Sequence, residues 1–139
     1  MTIGEIARTD VVTVPLDASL DEVGRTMREE QVGSVVVLDD GMPRGIVTDR
    51  DVAVYGVTGD RPVSELTARN VMDEDLLHVD PEDGVRSVVR RMRDREVRRV
   101  PVTQDGQLVG IVTLDDVVVL LSNELDDLAA VIEAESPPY

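Results

Sequence analysis

The chain is written twice. Displaced by 65 residues, positions 11–56 align with 76–121 without a gap, and 17 of those 46 pairs are identical. The identities include Val14/Val79, Met27/Met92, Val32/Val97, Val35/Val100, Val37/Val102, Asp40/Asp105 and Gly41/Gly106. They culminate in "GIVTDRD" at 45–51 and "GIVTLDD" at 110–116. A repeat this regular means one supersecondary unit used twice.

Each unit is predicted to run β-α-β-β-α, which makes the chain an α+β protein. An apolar strand ("VVTV", "LLHV") ends in a turn at Pro15 or Pro81. A helix follows, capped in the first unit by Ser19, with Leu20, Val23 and Met27 at helical spacing; the second copy offers Val85, Val88, Val89 and Met92. Two strands ("SVVVL" and "GIVT"; "RVPVT" and "GIVT") flank an Asp-Gly turn, the signature of a hairpin. A second helix is expected to begin near Asp51 and Asp116. The expected domain limits are 1–60, a linker at 61–70, 71–125, and a helical extension at 126–139. That extension carries Leu125, Leu128, Val131 and Ile132 on one stripe, and its last four residues, Ser136 to Tyr139, are expected to fray.

Composition removes several classes of function. There is no cysteine, hence no disulfide and no thiolate metal site or nucleophile, which fits a cytoplasmic protein. No run approaches the roughly 20 apolar residues of a membrane span, and no signal peptide is visible. The formal net charge is −15, and all 14 basic residues are arginine. An excess this large repels itself unless salt screens it, so a salt-rich cytoplasm such as that of a halophilic archaeon is expected. It also argues against a nucleic-acid binder, as does an aromatic content of two tyrosines. The core must therefore be built from small parts, chiefly the 27 valines.

The pairs Thr48-x-x-Asp51 and Thr113-x-x-Asp116 admit two readings. The spacing is that of a capping box, with Asp in place of the usual Glu or Gln. The same geometry, a strand feeding a helix N-terminus, also presents free N–H groups and a hydroxyl to an anion. A carboxylate one turn in can accept bonds from the vicinal hydroxyls of a ribose.

Two copies of β-α-β-β-α, each ending G-h-h-T-x-x-D, resemble a pair of cystathionine-β-synthase (CBS) domains, also called a Bateman module. The resemblance covers about residues 2–125. It implies two repeats packed through their sheets with pseudo-two-fold symmetry and clefts between them that bind AMP, ADP, ATP or S-adenosylmethionine. It also implies a homodimer of four repeats in a disc, signalling in trans to an effector protein. By position, the ribose carboxylates match Asp51 and Asp116, and the strand-end hydroxyls match Thr48 and Thr113. The base-cradling strands match Val12, Thr13 and Val14, and Leu77, His78 and Val79. The second-strand entries match Ser34, Val35 and Val36, and Arg98, Arg99, Val100 and Pro101. Each cleft is thus expected to draw its residues from one copy. Arg50 beside Asp51 makes the first the better phosphate site, because Asp115 occupies the equivalent place in the second. The acidic flank would suit an S-adenosylmethionine-type ligand instead, and a scaffold whose Thr and Asp only cap helices is the other alternative.

The remaining features are structural by expectation. His78 is the only histidine and has no partner for metal binding or catalysis. The basic run 90–99 is expected to be a solvated helix face, the alternative being that Arg98 and Arg99 reach ligand phosphate and reverse the preference between the clefts. No serine has a base, and nothing resembles a phosphate-binding glycine loop, so neither an enzyme nor a catalytic cofactor is expected.

Overall fold

A computed structural model describes residues 1–136. In chain order it forms a 3-10 turn (Ile3–Glu5), β1 (Thr13–Pro15), α1 (Leu20–Glu30), β2 (Ser34–Asp39), β3 (Met42–Thr48), α2 (Asp49–Thr58), α3 (Ala68–Val71), α4 (Val85–Arg95), β4 (Arg99–Gln104), β5 (Gln107–Thr113) and α5 (Leu114–Glu135). Residues 137–139, part of the tail expected to fray, lie outside the described residues.

Local chemistry sets these boundaries. Ser19 and Glu22 form a reciprocal capping box at the start of α1, which buries Leu20, Val23 and Met27. α4 begins after Gly84 without a side-chain cap and repeats only the burial pattern, with Val88 and Met92 buried. Both hairpins turn through an Asp-Gly pair with positive φ: 51° and 79° at Asp40 and Gly41, 53° and 80° at Asp105 and Gly106. This is the two-residue turn whose twist matches that of the strands. The second helices begin two residues before the positions expected, at Asp49 and Leu114, because Thr48 and Thr113 are themselves the N-caps.

The two sheets are unequal. β1 runs parallel to β2, which pairs antiparallel with β3. The second sheet is the β4–β5 hairpin alone, and "LLHV" does not form the expected strand. It makes a single bridge, Val79 to Val102. One residue explains the loss. In the first repeat the Val36 N–H donates to the Val12 carbonyl at 3.1 Å. The equivalent of Val36 is Pro101, which has no N–H to give Leu77.

Each repeat has its own valine-rich core, one around Val14, Leu20, Val23, Val35, Val37 and Val47 and one around Val79, Val88, Val100, Val102 and Val112. Each core is completed by a segment that lies just ahead of the other repeat. Residues 2–8 precede the first repeat but pack on the second: Ile3 is fully buried in the second core. The Ile3 N–H donates to the Asp83 carbonyl at 2.7 Å, and Arg8 pairs with Ile111 through two backbone bonds of 2.9 Å. Residues 66–73 precede the second repeat and pack on the first. Leu66, Ala68 and Val71 enter its core, and Asp73 pairs with Ile46 at 3.0 and 3.2 Å. The bridges Thr2–Gly84 and Ser19–Thr67, and Arg8–Ile111 and Ile46–Asp73, are the same pairs under the 65-residue displacement with the repeats exchanged. The stretch 61–70, expected as a linker, thus contributes core side chains and a helical turn. Close approach is needed at Gly110, where a Cβ would stand 2.9 Å from the Arg8 carbonyl oxygen.

β3 and β5 meet between the repeats, and the hairpin tips touch, the Leu108 N–H donating to the Gly41 carbonyl at 2.9 Å. The result is two packed β-α-β-β-α units related by a pseudo-two-fold axis.

Truncating Ile3 removes buried aliphatic volume from the second core. Ile3→Ala is expected to cost about 2–4 kcal/mol and to lower the thermal midpoint by roughly 8–15 °C. Calorimetry of the two proteins checks this; a loss under about 1 kcal/mol would mean that the arm is not part of that core.

Candidate ligand clefts between the repeats

Thr48 and Thr113 end β3 and β5, and each opens a helix. The Asp51 N–H donates to Thr48 Oγ1 at 3.2 Å, and the Thr48 N–H donates to Asp51 Oδ2 at 2.9 Å. In the second repeat both distances are 3.1 Å. Both pairs are therefore true capping boxes. The box uses one carboxylate oxygen and leaves the other, Oδ1, for another partner.

Two clefts of about 450 and 520 Å³ open beside these strand ends, within the range of small-ligand pockets. Neither is built from one repeat. The larger, here the Thr48 cleft, joins Ile46, Thr48, Arg50 and Asp51 of the first repeat to Leu77, Val97, Arg98 and Arg99 of the second. The smaller, the Thr113 cleft, joins Val12, Gly33, Ser34 and Val36 of the first repeat to Arg99, Ile111, Thr113 and Asp115 of the second. The grouping by copy expected from the sequence is thus corrected. β3 and β5 pack against each other about the pseudo-axis, so each strand end opens onto the helix-to-strand entry of the opposite repeat.

Some expected residues line neither cleft. Val14 and Val35 belong to the first core, and Val79 and Val100 to the second. Pro101 is buried, while Thr13 and His78 are exposed. The His78 carbonyl accepts a bond from Arg91 at 2.6 Å.

Recombination changes the electrostatics. Arg50 and the pair Arg98–Arg99, read from the sequence as belonging to separate clefts, meet in the Thr48 cleft. Among the described residues neither Arg50 nor Arg99 forms an ion pair, and Arg98 has only a 3.7 Å contact with Asp115. Arg99 lines both clefts, and its Nε is shielded from solvent without a hydrogen-bond partner. Acids stand opposite: Asp49, Asp73, Asp75 and Glu96.

The Thr113 cleft contains a residue that the sequence reading missed. Arg8 donates through Nε at 2.9 Å and Nη2 at 2.8 Å to Asp116 Oδ1, the oxygen left over by the capping box. Asp51 lines its cleft, whereas Asp116 does not line the equivalent one; Arg8 stands there instead. The signal was the displacement itself, since Arg8 and Asp73 are 65 apart, but identities between the arms are too few to extend the repeat that far.

Burial pushes the Asp116 carboxyl up, but the bonds from Arg8 and Thr113 and the Arg8 charge outweigh it and hold the group below the usual carboxylate range. The native carboxyl binds its proton less readily than the unfolded one. Its stabilisation is complete above the unfolded value of about 3.9 and is lost as pH falls through the lower native value. Asp116→Asn should therefore cost about 1–2 kcal/mol at neutral pH, with the gap from the wild type closing in acid. Urea titrations at stepwise pH check this, and a gap that stays constant down to strong acid would exclude an ionic role.

Comparisons with known proteins agree with this fold. Residues 3–57 and 68–123 each match the CBS domain family. The chain is 35% identical over 119 residues to uncharacterized protein MK0525 of Methanopyrus kandleri, across 84% of this chain and 61% of that one. It therefore spans less than two thirds of that relative. It is 34% identical over 121 residues to the CBS domain-containing protein YhcV of Bacillus subtilis, across 84% and 83% of the two chains. Among solved structures, Hypoxic Response Protein I with two coordinated zinc ions superposes with a TM-score of 0.76 at 29% identity, over 85% of this chain and 97% of that one. The CBS domain pair of protein MJ0100, in complex with 5′-methylthioadenosine and S-adenosyl-L-methionine, superposes at 0.77 over 89% and 98% of the chains. Its 21% identity supports the fold alone. With its domain matched twice over nearly the whole repeat region, the chain belongs to the CBS domain family and is a CBS-domain pair.

Proposed function

We propose that this CBS-domain pair is a sensor of adenine nucleotides, with the Thr48 cleft as its principal site. CBS domains typically serve regulation rather than catalysis, and the lining of this cleft supports binding without chemistry. One observation carries the reading. A strand-end Thr and a carboxylate with a free oxygen share a cleft with two arginines, Arg50 and Arg99, that form no ion pair among the described residues. Asp51 Oδ1 would accept from the ribose hydroxyls, and Ile46, Leu77 and Val97 would give the base an apolar seat. Arg50, Arg98 and Arg99 would take the phosphates, for which forked guanidinium groups are well suited. A monophosphate, diphosphate or triphosphate would engage progressively more of this set.

In this reading the output passes in trans to a partner protein in the cytoplasm. A homodimer would supply the moving part, since ligand can only bias states that it binds unequally. The surface of α5 supports self-association. Leu114, Val118, Leu121, Leu125, Leu128 and Ile132 follow alternating steps of four and three, the spacing of a coiled-coil seam. The last five are 55–67% exposed. The acids Asp126, Asp127 and Glu133 fall on the opposite side of that seam. Among the described residues no helix is long and apolar enough to cross a membrane.

S-adenosylmethionine is the alternative adenosyl ligand: acids line both clefts, Asp10, Glu30 and Asp115 in one and Asp49, Asp73, Asp75 and Glu96 in the other, and its cationic tail would meet complementary charge at either.

Thermal melting in molar KCl, where a charge of −15 is screened, tests the sensor. AMP, ADP, ATP and S-adenosylmethionine are added in turn. A ligand at about 100 times its Kd adds roughly 2.7 kcal/mol, a rise on the order of 5–15 °C for this length. Asp51→Ala should abolish the rise with an intrinsic cost of about 1 kcal/mol for the lost cap. Flat curves for all four ligands would leave a scaffold module. Sedimentation of a Leu125→Glu, Leu128→Glu double variant checks the dimer: monomers are expected, and an unchanged dimer would place the interface elsewhere.

A further inference from the structure

The pseudo-symmetry breaks at one point of each cleft. The arm residue that pairs with Ile111 is Arg8, and the one that pairs with Ile46 is Asp73. The Arg8 side chain covers the remaining oxygen of Asp116, whereas among the described residues no cation pairs with Asp51. Arg8 is held by its backbone on both sides of Ile111, yet its side chain is 65% exposed and can swing into the cleft that it lines.

We propose that Arg8 is a built-in latch that makes the Thr113 cleft selective for anionic nucleosides. With the side chain on Asp116, the acceptor that a ribose needs is occupied. An uncharged nucleoside has nothing to offer Arg8 in exchange. A nucleoside 5′-phosphate does: its phosphate draws the guanidinium off, and the freed carboxylate takes the ribose hydroxyls. The neighbours sharpen this. Asp10, Glu30 and Asp115 also line the cleft, so without Arg8 three acids face the single remaining cation, Arg99, and the balance turns against phosphate. The same residue is thus a lock against nucleosides and the counter-charge for nucleotides. This inference rests on the nucleotide reading of the clefts, and it assigns each cleft a different ligand preference.

Isoleucine methyl NMR separates the sites without altering either. The chain has five isoleucines, and Ile46 and Ile111 are equivalent residues that line the Thr48 and Thr113 clefts respectively. Protein labelled at the isoleucine δ1-methyl is titrated with adenosine and, separately, with AMP, as wild type and as Arg8→Ala. Arg8 is exposed and outside both cores, so the variant folds. In the wild type, AMP should shift Ile111 at concentrations where adenosine does not. In Arg8→Ala, adenosine affinity read at Ile111 should rise about three- to tenfold and AMP affinity should fall, while both titrations at Ile46 stay as they were. A merely structural role for Arg8 would move the two ligands together. Equal adenosine titrations of Ile111 in both proteins overturn the latch and leave the sensor reading intact. An Ile111 silent to adenosine even after Arg8 is removed also overturns it. The sensor reading is decided separately by Ile46, whose silence towards AMP, ADP and ATP alike would refute it.

Discussion

The exchange of arms between the repeats is the constraint on which the rest depends. A unit of about fifty residues, made of two short helices and a two- or three-stranded sheet, leaves much of its apolar surface open to water. Here each unit borrows a segment that stands ahead of the other: Ile3 for the second core, Leu66, Ala68 and Val71 for the first. With no phenylalanine or tryptophan available, every core contact is made by a side chain of leucine size or smaller. Small side chains interdigitate over short distances only, so closing each core from outside matters more than it would around a large ring. Exchange also makes the two repeats one body, since neither core is complete without chain that belongs with the other.

The clefts inherit their chemistry from that exchange. Each arm finishes as an extra backbone pairing on the strand that carries the Thr-x-x-Asp box, Arg8 beside β5 and Asp73 beside β3. The last residue of an arm therefore faces the box of the opposite repeat. The backbone is equivalent at the two places, but the side chains carry opposite charge. One box is covered by a guanidinium and the other is left beside acids, with Arg50, Arg98 and Arg99 across the opening. Symmetric folding thus produces two asymmetric sites through one position per arm.

Much of this was legible in the residues. The 65-residue displacement gave the element order, because Asp-Gly turns, Ser19 and the strand-end threonines each act through local backbone geometry that sequence states directly. What was not legible arises through space. "LLHV" has the same alternation as "VVTV", and only the missing N–H of Pro101, on a neighbouring strand, reduces it to one bridge. Arms that share little beyond Thr2 and Thr67 show no repeat to the eye. Assigning a cleft to a single copy was the natural error. Residues close in sequence were grouped, whereas packing β3 against β5 brings each box to the opposite repeat.

The Thr-x-x-Asp pair shows why a structural and a ligand-binding role need not compete. The capping box engages one carboxylate oxygen and the backbone N–H of the threonine, at 2.9 Å in the first repeat. That fixes the rotamer of the aspartate and aims its second oxygen outward, so the cost of ordering an acceptor is met by folding rather than by ligand. Capping alone would be satisfied by either box wherever it lay. What distinguishes a binding site is the company the free oxygen keeps. Seven of the 14 arginines form no ion pair among the described residues, so a missing partner singles out an arginine only where it also lines a cleft. Two such arginines, one with a shielded and unpartnered Nε, converge on the cleft of the uncovered aspartate. Three guanidinium groups beside a preorganised acceptor are what the proposed nucleotide site would use, the former for phosphate and the latter for hydroxyl groups.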